Sequence, residues 1–330
     1  MIDLELLNTL TQTFGPSGHE EAIRAALRQA VEPYADEVRV DALGNLIVHR
    51  RGTGGGKRLL LTAHMDEIGL VIAHIEANGF ARFAQIGGLR PLNCVGARVR
   101  FANGAEGVID VEYREQGANE IPMLRQLYID FGAPHAEAVP VKVGDPGVFV
   151  GALRAQNGRL ISKTMDDRIS CYVLVEVLRQ LKSTPHDLYI VFTVQEEYTL
   201  GGARTAAYAL EPDMAIAVDV TATGDTPKAL PMAVELGKGP AVKVQDSGMI
   251  AHPLVRDWLI EAARAAQVPY QLEILVGGTT DAAAMQLTRA GVPAGCLSIP
   301  CRHVHSPGEI VDAQDVENAI RLLLVALTQG

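Results

Sequence analysis

The sequence is sparing in cysteine, in positive charge and in long apolar runs, and each shortage removes a class of protein. Cys94, Cys171, Cys296 and Cys301 are the only cysteines among 330 residues and form no Cys-x-x-Cys pair. That excludes a disulfide-built scaffold and reads as reduced thiols. Cys296 and Cys301 also lack the spacing of a zinc-thiolate site. Lys and Arg number 29 against 39 Asp and Glu, a net charge of −10. Nucleic-acid binders carry a basic surplus, so no nucleic-acid partner is expected. Apolar runs such as Leu188 to Val194 fall far short of the ~20 residues that span a bilayer. The opening Met1-Ile2-Asp3-Leu4-Glu5 has neither the basic region nor the apolar core of an export signal. No membrane partner and a cytoplasmic location are therefore expected. Walker and Gly-x-Ser-x-Gly patterns are missing, and Gly201-Gly202 is too little for a dinucleotide fingerprint.

What is present is a chain that is 48% hydrophobic and 21% charged, enough to build a sizeable core. Ser17-Gly18-His19-Glu20 has capping-box spacing before a helical period at Ile23, Ala26, Leu27, Ala30 and Val31. Val38 to Arg51 reads as a hairpin turning at Leu43-Gly44-Asn45, and Lys57 to Ala63 as a buried strand. From about 71 to 158 short β-like pieces alternate with Gly- and Pro-rich turns, with one short helix expected near Ile121 to Leu127. This predicts a small all-β, barrel-like insertion. From Asp166 onward strands and helices alternate: strands at Leu188 to Val194, Met214 to Val218, Leu272 to Val276 and Ala294 to Ile299, and helices after Asp167, near Gly201, over Leu254 to Ala266 and over Ala313 to Thr328. The alternation predicts an α/β domain with a mostly parallel sheet and helices on both faces. Residues 1–70 and 159–330 form that domain, and 71–158 the insertion.

Ligands of open α/β sheets gather beyond the carboxyl ends of the strands, and chemistry-bearing residues cluster there. His64 and Asp66 follow the first buried strand. An imidazole there can bind a metal while the carboxylate holds the ring from behind. Asp166-Asp167 opens a helix; such a pair can cap it, or a carboxylate can use both oxygens to bridge two cations. Glu196-Glu197 ends a buried strand, where adjacent like charges repel unless a cation is near. One can bind metal while the other acts as general base. Asp219 ends a further strand, and His303 or His305 lies on the loop after the last one. Mixed nitrogen and oxygen donors without thiolate suit zinc, cobalt or manganese.

With these residues in view, the sequence resembles metallopeptidase family 42, the tetrahedral and glutamyl aminopeptidases of the zinc exopeptidase superfamily. The resemblance covers essentially the whole chain. It is carried by Ala63-His64-Met65-Asp66-Glu67-Ile68-Gly69, Met165-Asp166-Asp167-Arg168, Gln195-Glu196-Glu197, Val218-Asp219, Gly278-Thr279-Thr280-Asp281-Ala282 and His305-Ser306-Pro307-Gly308-Glu309. It implies two divalent cations, zinc or cobalt and also manganese, bridged by Asp166. Glu197 and His305 would complete one set of ligands, and His64 and Asp219 the other. Glu196 would be the general base and Asp66 would orient His64. The resemblance further implies a cis bond between Asp166 and Asp167, peptide substrates, and an insertion that dimerises, with dimers assembling to dodecamers. Other readings share these residues. A deacylase of N-acyl amino acids could use the same ligands, relatives of this family have been labelled cellulases, and an assembly protein could keep the fold without activity.

Overall fold

The computed structural model describes residues 1–113 and 120–329. Residues 114–119, within the expected insertion, and residue 330 lie outside the described residues. Helices α1 (Leu4–Gln12) and α2 (Glu21–Val31) open the chain, followed by strands β1 (Glu37–Val40), β2 (Leu46–Arg50) and β3 (Arg58–His64). Then come β4 (Gly69–Ile75), β5 (Phe80–Ile86), the single turn α3 (Pro91–Cys94), β6 (Arg98–Phe101), β7 (Glu106–Val111), β8 (Leu127–Asp130) and β9 (Pro146–Phe149). The remainder is β10 (Arg154–Gln156), β11 (Arg159–Ser162), α4 (Met165–Gln180), β12 (Asp187–Thr193), α5 (Glu196–Thr199), α6 (Gly201–Leu210), β13 (Met214–Thr221), β14 (Ala241–Gln245), α7 (Pro253–Ala266), β15 (Gln271–Ile274), α8 (Asp281–Gln286), β16 (Ala294–Arg302), β17 (Glu309–Asp312) and α9 (Ala313–Thr328).

Strands β4 to β9 close into a barrel, and the others form one 11-stranded sheet. At the centre of that sheet β12, β3, β13 and β16 run parallel. The strands that flank this centre join it antiparallel, β2 on β12 and β14 and β17 on β16, while β15 pairs with β14 in parallel at one edge. The difference has a physical cause. Parallel neighbours need crossover connections that cover both faces, whereas consecutive strands such as β1 and β2, β10 and β11, or β16 and β17 can return directly. Accordingly every residue of β13 is buried.

Alternate residues of the central strands feed two cores. Leu59, Leu61, Ile216, Val218 and Val220 pack with α1, α2, α4, α7 and α9 on one face. Leu60, Ala215 and Ala217 face α6 and α8 on the other, which bring Ala203, Ala206, Ala207, Ala282, Ala283 and Ala284 into this core. The small side chains let these helices sit close to the sheet. A third core, including Leu70, Phe101, Ile109, Leu127 and Ile129, fills the barrel. No described helix is long and apolar enough to cross a membrane.

Two local expectations change. The short helix expected near Ile121 to Leu127 is only a 3-10 turn, Leu124–Gln126. The Gln126 side chain accepts from the Met123 N–H at 2.8 Å and closes the turn. Leu127 and Ile129 then alternate into the barrel core, a period of two that no helix shares. The Ser17–Glu20 capping box also fails to form, because α2 has no side-chain cap bond. Ser17 instead donates to Asp66 at 2.5 Å, while Glu20 accepts from Gly18 and Gln195 N–H groups at 2.7 and 3.2 Å. Both residues serve the region described next.

Candidate metal centre

His64 is the last residue of β3 and is 2% exposed. Its Nδ1 lies 3.2 Å from the Asp66 carbonyl and 3.5 Å from Asp66 Oδ1. Both partners are acceptors, so Nδ1 donates to them and Nε2 is left as the nitrogen that faces the cluster. Nε2 faces Asp166 Oδ1 at 3.0 Å, and Asp219 Oδ1 and Glu196 Oε2 at 3.9 Å each. Asp219 lies within β13, and Asp166 lies at the start of α4.

The second oxygen of Asp166 serves a different histidine. Oδ2 lies 3.3 Å from His305 Nε2, which also faces Glu197 Oε2 at 3.2 Å. His305 Nδ1–H donates to the Gly88 carbonyl at 2.9 Å, so Nε2 is again the nitrogen that faces the carboxylates. His305 sits between β16 and β17, and Glu197 in α5 just beyond β12. Thus His64, Asp166, Asp219, Glu196, Glu197 and His305 converge from segments far apart in the chain. His303, the open alternative to His305, is exposed and outside this cluster.

Asp66 is fully buried and holds this arrangement together. Its oxygens accept from the Glu196 and Glu197 N–H groups at 3.0 and 3.2 Å and from the Ser17 hydroxyl. The Asp166–Asp167 peptide bond is cis, as the resemblance implied. Thr164, Gln195, His303 and His305 all take left-handed backbone conformations around the site, a local strain that surrounding contacts must hold in place.

Too many acidic groups share too little positive charge here. Burial above all, then the charge of Asp219, pushes the Asp167 carboxyl well up. Burial likewise raises Glu196 and Asp219 well above the usual carboxylate range, against the pull of His64. For His305 burial acts downward, but Glu197 and Asp166 overcome it and push the imidazole up to about 12. His64 behaves in the same way under Glu196, Asp166 and Asp66. Asp166 moves the other way: burial opposes ionisation, yet His305 and His64 hold its carboxyl below the usual range. Asp167 Oδ1 and Glu197 Oε1 are buried without any hydrogen-bond partner. Buried polar atoms are normally satisfied, so this donor set fits divalent cations. His64, Asp166 and Glu197 form one group able to hold an ion, and His64, Asp167 and Asp219 another.

Several contributors escape sequence reasoning. Asp167 accepts the His64 N–H at 3.2 Å, a role that neither reading of the Asp166-Asp167 pair, helix cap or cation bridge, had given it. Glu309 accepts the Asp166 N–H on Oε2 and the His305 N–H on Oε1, both at 2.8 Å. Glu67 binds Lys163 at 2.5 Å and Thr164 at 2.9 Å, tying the β3 exit to the residues just before Asp166. Asp281 accepts from Thr193 at the end of β12 at 2.6 Å. Glu67, Asp281 and Glu309 all lie in the recognised motifs; what was missing was any sign of which backbone each would grip.

The M42 glutamyl aminopeptidase family profile matches residues 44–322. The lysyl aminopeptidase of Pyrococcus furiosus is 36% identical over 346 residues, covering 100% of this chain and 98% of that one. Aminopeptidase APDkam598 from the archaeon Desulfurococcus kamchatkensis superposes with a TM-score of 0.95 at 39% identity, covering 99% of this chain and 94% of that one. The structure titled PhTET1-12s, a dodecamer in the asymmetric unit, gives a TM-score of 0.89 at 31% identity over 100% of both chains.

Proposed function

The chain belongs to the M42 glutamyl aminopeptidase family and is an aminopeptidase, a hydrolase acting on peptides; from that premise we propose that it removes N-terminal residues with two divalent cations held in the cluster around Asp166. The observation that carries the reading is the division of labour in the Asp166 carboxylate, with one oxygen 3.0 Å from His64 and the other 3.3 Å from His305. Glu197 and His305 would complete one cation's protein ligands, and His64 and Asp219 the other's. When bound, such cations act as Lewis acids that polarise a carbonyl and make a water more acidic. Zinc or cobalt suits these donors best, and manganese is accommodated.

The protein's own groups supply the proton traffic. Glu196 is the general base: its carboxylate takes a proton from the attacking water as the carbon–oxygen bond forms. It then delivers that proton to the departing amine nitrogen as the carbon–nitrogen bond breaks. Glu196 suits this role because its nearest cationic partner, His64, stands 3.9 Å away, which leaves the carboxylate able to take and return a proton. Asp66 orients His64 and, through the Glu196 and Glu197 N–H groups, the turn that presents the base. The free amine of the substrate binds against the surplus carboxylates, which restricts cleavage to chain ends.

Residues 71–158 would act as the dimerisation domain, with dimers building a dodecamer, a reading supported by the likeness to the PhTET1-12s dodecamer. The four free, buried cysteines suit a reducing cytoplasm.

The test is a substrate panel on chelator-stripped enzyme reloaded with zinc, cobalt or manganese. Aminoacyl p-nitroanilides with a free amine should be cleaved only after reloading, and N-acyl amino acids should not. Cleavage confined to N-acyl amino acids would favour a deacylase, and cellulose hydrolysis indifferent to EDTA would favour a glycosidase.

A further inference from the structure

We infer that the barrel is a working part of the metal centre: the connection from β5 through α3, by way of Gly88 and Asn93, is the positioning element for His305. The inference rests on His305 being a cation ligand, as proposed above. Among the candidate ligands His305 is the most open, with a side chain 24% exposed against 2% for His64 and 9% for Asp166. It stands on a loop with φ of 63°. Glu309 grips only its backbone N–H. Nothing else in the β16–β17 loop determines which ring nitrogen faces Asp166 and Glu197.

The barrel makes that choice. The Gly88 carbonyl takes the Nδ1 proton at 2.9 Å, and the Asn93 amide donates to the His305 carbonyl at 2.9 Å. These partners lie more than 200 residues earlier in the chain. The approach depends on glycine, because a Cβ on Gly88 would come within 2.7 Å of His305 Nδ1 and 2.9 Å of Cε1. The neighbouring Gly87, with φ of 75°, lies over Glu197, where a Cβ would meet Oε2 at 3.1 Å. One short connection of the barrel therefore covers both protein ligands of the same half of the centre. A partner that donates or accepts behind a metal-binding imidazole sets its tautomer and direction, and losing it costs roughly 10- to 100-fold in metal affinity.

Cobalt(II) titration of the chelator-stripped, full-length protein tests this. Bound ion is counted by equilibrium dialysis, and its ligand field is followed by visible absorption. Wild type should bind two ions per chain and His305→Ala one. Asn93→Ala and Gly88→Ala should bind two, one of them roughly 10- to 100-fold more weakly and with an altered spectrum. Unfolding midpoints of the stripped proteins should stay close to wild type for Asn93→Ala, which separates positioning from a loss of fold. Should Gly88→Ala not fold, Asn93→Ala decides the matter. Wild-type affinities and spectra in both barrel variants, with one ion lost in His305→Ala, would overturn this inference and leave the ligand assignment standing. Two ions retained by His305→Ala would overturn the assignment, and this inference with it.

Discussion

Glu196 and Glu197 are adjacent carboxylates with different surroundings. Glu197 Oε2 lies 3.2 Å from His305, whereas Glu196 Oε2 stands 3.9 Å from His64 and has no closer cationic partner. A carboxylate left this free can carry a proton, which a committed ligand cannot. Glu196→Gln should fold and load metal normally while turnover falls at least ~100-fold; full activity in steady-state assays would remove Glu196 from the base role. Glu309 is a second case where one atom matters. Both of its oxygens accept backbone N–H groups, from Asp166 and His305. In Glu309→Gln an amide NH₂ must face one of those N–H groups, donor against donor. That leaves a buried donor unmatched at about 1–3 kcal/mol. The stripped variant should show a lower midpoint in urea, and an unchanged midpoint would refute the clamp.

At the scale of elements, the site depends on how β12 hands over to α6. The Asn45 amide donates to the Gly202 carbonyl at 3.0 Å while its oxygen accepts from Val194 N–H at 3.1 Å. The Gly202 N–H in turn donates to the Val194 carbonyl at 3.1 Å. The first turn of α6 is thus pressed against the segment that leaves β12 and leads into Glu196 and Glu197. Gly202→Ala gains about 1 kcal/mol in helix propensity, but its Cβ would collide with Asn45 Oδ1 and the Val194 backbone. Overpacking of that kind costs about 1–3 kcal/mol and should win, so urea denaturation should show net destabilisation. A more stable Gly202→Ala protein would show that the contact yields easily.

A second element contact carries a pH signature. Asp225 takes a two-pronged bond from Arg302 at the end of β16, at 3.0 and 2.6 Å. The Arg302 hydrogen bonds hold its carboxyl below the ordinary value of 3.8. A carboxyl depressed in the folded state stabilises at pH above its unfolded value, and that gain is lost as pH falls through the folded value. Asp225→Asn should therefore melt below wild type at neutral pH. The gap should close progressively once the pH drops under 3.8; a gap independent of pH would contradict the ion pair.

Across the whole molecule, the sheet and the barrel meet where acidic groups crowd together, and cation loading should therefore stabilise the fold. Ions that bind the native chain alone at 100 times their dissociation constant add about 2.7 kcal/mol per site. Calorimetry should show a higher melting temperature after cobalt or zinc is added to stripped protein, and EDTA should reverse it. An unchanged melting temperature would argue that the cluster holds no ion.

Much of this protein was legible in its residues because the relevant signals are local. Apolar runs leading to His64, Glu196 or Asp219 mark strands. The alternation after Asp166 marks crossover helices, and the Gly- and Pro-punctuated stretch before it marks a β insertion. Such signals depend on neighbours within a few positions, so family, fold class and the residue types of the centre could be read in advance. The antiparallel flanks of the sheet could not be, because strand order is settled by which edges remain to be covered. Nor could the sharing of Asp166 between His64 and His305, the diversion of Ser17 from helix cap to Asp66, or the grip of Gly88 and Asn93 on His305. Those contacts join segments from about 50 to more than 200 residues apart. Only packing the sheet, its two helical layers and the barrel together brings such groups within hydrogen-bonding reach.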